Sequence, residues 1–172
     1  IESVSKIHCL SYQIVGQEEV TSLTRLEDIK AFLLQEDLVI IGHNIIRYDI
    51  PVLEKLLHIK IKARLIDTLA LSWYLYPERD KHGLEPWGDD LGVKKPEISD
   101  WSNLQVSDYI HRCESDVKIN SLLFKKQEDY LSRIYNSTRP SIINYLGFKL
   151  ECAREQEEVK WRLDVDLCRK TL

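Results

Sequence analysis

Methionine is absent from this sequence and the chain opens on Ile1, so the polypeptide is expected to start downstream of a natural N-terminus. Its four cysteines, Cys9, Cys113, Cys152 and Cys168, are scattered without a CxxC pair. That spacing argues against a zinc site and against a disulfide framework, and is expected of reduced thiols in a cytoplasmic protein. No apolar run approaches the ~18 residues of a membrane span. The opening IESVSKIH has neither the basic n-region nor the apolar h-region of a signal peptide. No membrane partner is therefore expected. Basic excess is missing too: 24 Lys and Arg stand against 28 Asp and Glu, for a net charge of −4. Composition thus carries no global signature for nucleic acid, though a site built to hold divalent cations needs carboxylates and lowers the formal charge.

What is present is ordinary globular composition, 44% apolar and 30% charged. A length of 172 residues suits one domain with a hydrophobic core and is short for two. Residues 6–15 alternate polar and apolar and predict a strand, Gly16-Gln17 a turn, and 20–23 a partner strand. Thr24 with Glu27 three residues on predicts a capped helix over 25–36. LVIIGHN (38–44) opens with four apolar residues and predicts a strand buried on both faces. A helix over 49–58 follows, with Pro51 in its first turn, then a strand over 64–68 and a helix over 70–76. Residues 77–105 are rich in loop signals, with a short helix over 84–91. A long helix over 107–136 carries Tyr109, Cys113, Val117, Asn120, Leu123 and Phe124 on one face. Thr138-Arg139-Pro140 is expected to break it before a second helix over 141–158, with Ile143, Leu146, Leu150 and Ala153 at helical spacing. There is no internal repeat. Strands, then strand–helix alternation, then helices give an α/β class compatible with a mixed central sheet flanked by helices.

Three groups of residues offer chemistry. In Gly42-His43-Asn44-Ile45-Ile46-Arg47-Tyr48-Asp49 a strand ends and an aspartate opens a helix, the position where α/β sheets bind ligands. Asp49 is equally explained as a first-turn carboxylate favourable to the helix dipole. In the long helix, His111-Arg112-Cys113-Glu114-Ser115-Asp116 holds an imidazole and a carboxylate about 7.5 Å apart in helix rise. A solvated helix face explains these residues as well. Asp67-Thr68 follows a strand, where a helix cap is the better reading.

Taken together, Asn-x-x-x-Tyr-Asp at 44–49, Asp-Thr at 67–68 and a late helical Asp at 116 resemble the DEDD exonuclease superfamily. The chain is most similar to the exonuclease domain of family A DNA polymerases from short-tailed bacteriophages. ESVSKIHC (2–9) looks like that family's second strand, and GHNIIRYDIPVLEKL (42–56) its second motif. LIDTLALSWYLYP (65–77) and HGLEPWGDDLG (82–92) resemble the segments between, and RCESDVKINSLLFKK (112–126) the third motif. AREQEEVKWRLDVDLC (153–168) is similar to the helix that leads to the polymerase, with Lys160 where the family usually has glycine.

The resemblance implies a ribonuclease H-like sheet, an exonuclease domain over 1–137 and helices over 138–172 leading toward a polymerase domain of the parent chain. It implies hydrolysis of a single-stranded or frayed 3′ end of DNA, in the host cytoplasm, by two Mg²⁺ or Mn²⁺ ions about 3.5–4 Å apart. Such hard ions take carboxylates, here Asp49 and Asp116. The water-activating base in the family is a Tyr four residues before the last Asp, or a His five before it. Arg112 stands at the first position and cannot act as a base, and His111 stands at the second. Arg112 is then expected on phosphate or in an ion pair, with Asn44 and Tyr48 lining the site. The family's remaining two carboxylates form an Asp-x-Glu on a first strand ahead of Glu2, which itself is expected in the following turn. That strand is expected to be missing here, so hydrolysis is expected to be weakened. Two other roles fit the same residues: a single-stranded nucleic-acid-binding module using aromatics such as Tyr48, Trp87, Trp101 and Tyr109, and a scaffold for a polymerase.

Overall fold

The structure is a computed structural model that describes residues 3–96, 98, 104–160 and 164–171. Glu2 and Trp101, both singled out above, lie outside the described residues. Strand β1 (Leu10–Gln13) pairs antiparallel with β2 (Val20–Leu23), Leu10 opposite Leu23. The turn between them places Gly16 at φ 88°, a left-handed conformation that costs glycine nothing. After α1 (Leu26–Leu33), β3 (Val39–Gly42) and β4 (Arg64–Asp67) pair in parallel around α2 (Asp49–Leu57), with Gly42 opposite Asp67. The rest is helical: α3 (Thr68–Leu75), α4 (Leu84–Leu91), α5 (Val106–Ile134), a short 3₁₀ turn (Asn136–Thr138), α6 (Arg139–Val159) and α7 (Val165–Thr171). The chain is therefore mixed α/β and mostly helical. Among the described residues no helix is long and apolar enough to cross a membrane.

Among the described residues the expected mixed central sheet is not formed. The four described strands make two separate two-stranded sheets with no ladder between them. Each strand is four residues long, so each offers few hydrogen bonds, and no described strand lies hydrogen-bonded between the pairs. Side chains take up part of the deficit: Asn120 Nδ2 on α5 donates to the Ile41 carbonyl at 3.1 Å. Helix α5 packs on β1 and β2 and, through Asn120, reaches β3 as well. The strand expected over 38–44 is shorter and is not buried on both faces; Val39 is 49% exposed. A two-stranded sheet has an open side for every strand, which the apolar run alone does not reveal.

The core lies where helices meet the β3–β4 pair. Helix α5 buries Ser115, Ile119, Leu123, Gln127 and Leu131, a stripe at four-residue spacing. The face read from the sequence runs beside this stripe and shares Leu123 with it. Two polar residues hide the true stripe, and Gln127 Nε2 satisfies itself on the Thr68 carbonyl at 2.9 Å. Ile119 and Leu123 pack with Trp87 of α4. Leu131 packs with Ile66, Leu71 and Leu75, and Ile142, Ile143 and Leu146 of α6 close over them.

Helix ends follow local chemistry only in part. Helix α1 starts after Arg25, one residue later than the predicted Thr24 cap, and has no side-chain cap bond; Glu27 instead lies in the first turn, favourable to the dipole. Pro140 does not end the long helix. The 3₁₀ turn does, and Pro140 sits in the first turn of α6, where no N–H is missed. Helix α6 ends at Lys160 with φ 57° and ψ 135°, a conformation that suits glycine and strains a side chain. Lys160→Gly is expected to stabilise the fold by about 1 kcal/mol in urea unfolding. Unchanged or lower stability would mean that the lysine is not strained.

Candidate active site

Gly42 and Asp67 end the two parallel strands side by side. This is the edge of an α/β sheet at which loops gather polar groups. From Gly42 the chain turns through His43–Tyr48 into α2. Asn44 takes φ 59°, which asparagine tolerates better than most residues. Asp67 holds the turn in place. Its carboxylate accepts from Asn44 N at 3.1 Å and Ile46 N at 3.3 Å, and from Leu69 N at 2.9 Å and Ala70 N at 3.2 Å. The last two bonds cap α3, as the Asp67-Thr68 pair predicts. The first two tie the turn before α2 to the same carboxylate. Burial pushes the Asp67 carboxyl up, against the pull of these four N–H groups.

A second polar network joins three elements. Asn120 Oδ1 accepts from Thr68 Oγ1 at 2.6 Å, while its Nδ2 donates to Ile41 O. His43 Nδ1 lies 3.0 Å from Thr68 Oγ1, within hydrogen-bond distance. Desolvation and the neighbouring Lys95 charge depress the His43 pKa to about 4.

Asp49 is the first residue of α2 and faces solvent. Protein atoms crowd its other side and desolvate the carboxyl, and Cys113, Asp67 and Asp116 add negative charge, so its pKa is pushed up to about 6; its own backbone N–H opposes the shift. Water on the open side limits the effect, and its direction is what bears on stability. Asp116 comes in from α5, half-buried, with Lys95 Nζ 2.5 Å from its Oδ1. This contact is a charge pair rather than an aligned hydrogen bond. The Lys95 side chain is only 12% exposed, so its charge is held in place.

The structure thus brings Asp49 and Asp116, far apart in sequence, into one electrostatic neighbourhood. Tyr48 is 47% exposed beside Asp49 and is not part of the core. His111 is exposed, one and a half turns ahead of Asp116 on α5. Arg112 Nη1 donates to the Pro96 carbonyl at 2.6 Å, which anchors the segment carrying Lys95. Of the aromatics, Trp87 is core, and Tyr109 stacks on His8. Sequence reasoning missed Lys95 and Asn120. Lys95 sits in an irregular stretch with no periodicity, and Asn120 was counted only as part of a helix face.

No protein-family model matches the chain, and no curated protein matches it.

The residues present do not fit a pair of divalent ions. Asp116 is paired with Lys95, Asp67 is saturated by four N–H groups, and among the described residues no group of three or more His, Cys, Asp or Glu side chains could hold a metal. Asp49 is left as the one solvent-facing carboxylate of the set.

Asp49 and His43 pull pH-dependent stability in opposite directions. Asp49, raised from 3.8 to about 6, binds its proton more tightly when folded, so stability falls as pH rises through that window. His43, depressed from 6.5 to about 4, binds its proton more tightly when unfolded, so stability rises with pH. In Asp49→Asn the first of these two trends is removed and the second stays. Stability by urea unfolding is expected to rise more steeply between pH 4 and 6 than in wild type. Equal slopes would place the Asp49 carboxyl in bulk water.

Proposed function

We propose that this chain is the 3′→5′ proofreading exonuclease domain of a phage-type DNA polymerase. The observation that carries the reading is that Asp49, at the head of α2 just after the turn that leaves β3, lies near enough to Asp116 of α5 for the charge of one to bear on the other. Strand-end turn, capped helix and long crossing helix follow one another in the order the resemblance implies. In this reading Asp49 and Asp116 are the site's two carboxylates; with Lys95 on Asp116 they do not, as they stand, hold the Mg²⁺ or Mn²⁺ that the resemblance implies. Asn44 and Tyr48 line the approach for a single-stranded or frayed 3′ end of DNA. His111 is the candidate base, and Arg112 holds the segment that bears Lys95 and so acts on substrate only through it. The helices after residue 138 face a polymerase domain, and the protein works in the host cytoplasm.

A second reading is favoured by one contact. With Lys95 on Asp116, that carboxylate is taken by a cation of the chain itself and is not free for a metal. The domain then grips a 3′ end without cutting it. Incubation of end-labelled single-stranded and 3′-recessed DNA with Mg²⁺ or Mn²⁺ separates the readings. Trace trimming from the 3′ end is expected, lost in both Asp49→Ala and His111→Ala. Salt-sensitive binding without trimming, weakened by Lys95→Ala, supports the second reading. Neither trimming nor binding removes both.

A further inference from the structure

Cys9 lies directly before β1, and Cys113 lies on α5, three residues ahead of Asp116. Contacts on both sides fix the two backbones against each other. The His8 ring stacks on Tyr109, with centroids 3.9 Å apart and planes at 15°. Ser22 Oγ donates to Glu114 at 2.9 Å, and the Ser11 and Ser22 hydroxyls meet at 2.7 Å. Between these contacts Cys9 and Cys113 are neighbours across the packing of β1 on α5, and each thiol bears on the other. Both are half-buried, shielded from bulk water but open to a small reagent. We propose that Cys9 and Cys113 form a redox-active dithiol, closed to a disulfide by a peroxide and reopened by a dithiol reductant, so that the start of β1 is tied covalently to α5.

The two sulfurs are chemically unequal, which gives the reaction an order. Cys9 and Ser11 lower the Cys113 thiol, while the same pairing and burial raise Cys9. Cys113 is therefore the readier of the two to become thiolate, the form that attacks. Its sulfur displaces hydroxide from the peroxide: an S–O bond forms, the O–O bond breaks, and the hydroxide leaves as water after taking a proton. The Cys9 sulfur then attacks the sulfenic sulfur. The S–S bond forms, the S–O bond breaks, and the second hydroxide departs as water with the Cys9 proton. Two thiols have lost two electrons and two protons, and one peroxide has become two waters. A dithiol reductant returns both electrons by exchange.

Cys113 stands three residues ahead of Asp116 on α5, so the bridge would form within about one helical turn of the proposed site. Its existence does not depend on the nuclease reading, since the readout is covalent. The reduced chain would be treated with hydrogen peroxide, alkylated, digested without reductant and mapped by mass spectrometry. The expected result is a linked peptide pair holding Cys9 and Cys113, an intact mass lower by two hydrogens, and full reversal by dithiothreitol. Cys113→Ser should lose the linked pair entirely, and Cys9→Ser should leave a sulfenic acid on Cys113 that a dimedone probe traps. Linkage through Cys152 or Cys168, dimers only, or wild-type protein that keeps both thiols alkylatable would overturn the proposal.

Discussion

Trp87→Ala is expected to lower stability by about 3–5 kcal/mol, a large part of the ~5–15 kcal/mol typical of a domain. The indole is 1% exposed and fills the space between α4 and α5 against Ile119 and Leu123. Its N–H donates to Ser72 Oγ at 2.9 Å, and the Arg79 guanidinium lies 3.7 Å from the ring centroid. Ser72 is itself bonded to His82 Nδ1 at 2.8 Å, so truncation also loosens a buried polar chain. Trp87→Phe separates the terms. It keeps most of the ring volume, removes the N–H, and should cost about 1–2 kcal/mol through the lost bond and residual cavity. Urea unfolding followed by circular dichroism measures both. Equal losses for the two variants would assign the effect to the hydrogen bond and refute the packing account.

Asp67→Ala is expected to cost a similar amount, about 3–5 kcal/mol, with no cavity comparable to the first. Four backbone donors lose their acceptor at once, and each buried orphan costs roughly 1 kcal/mol or more. Asp67→Asn should recover part of the loss, because one amide oxygen remains while the NH₂ faces N–H groups it cannot accept. Hydrogen exchange gives the sharper test. The amides of Asn44 and Ile46 should exchange faster in Asp67→Ala, because the turn that presents Asp49 has lost its anchor. Unaltered protection there, or a loss under 1 kcal/mol, would show that the turn is held by other means.

The Asp67 cap was legible in the sequence because capping is local: an aspartate directly before an apolar helical run has few other uses. The positions of the strands and of α4, α5 and α6 were legible for the same reason, within the few residues by which ends differ. Asp49 and Asp116 were chosen from a pattern spanning the chain, and in the fold the charge of Asp116 bears on Asp49. What stayed hidden is non-local. The separation of the strands into two pairs depends on which edges meet, and a four-residue apolar run does not encode its neighbour. The buried stripe of α5 passes through Ser115 and Gln127, whose polarity disguises it. Lys95 gains its importance only from Asp116 on another element.

Among the described residues no ladder joins the two sheets, which has a consequence for how the molecule opens. The hairpin β1–β2 is coupled to the rest by side chains of α5 and by the apolar cluster of Ile29, Leu33 and Leu57, which Leu10, Leu23 and Ile40 join from both sheets. Apolar coupling weakens on cooling, whereas a backbone ladder would resist it better. The hairpin is therefore a unit that can detach below the free energy of global unfolding, more readily in the cold.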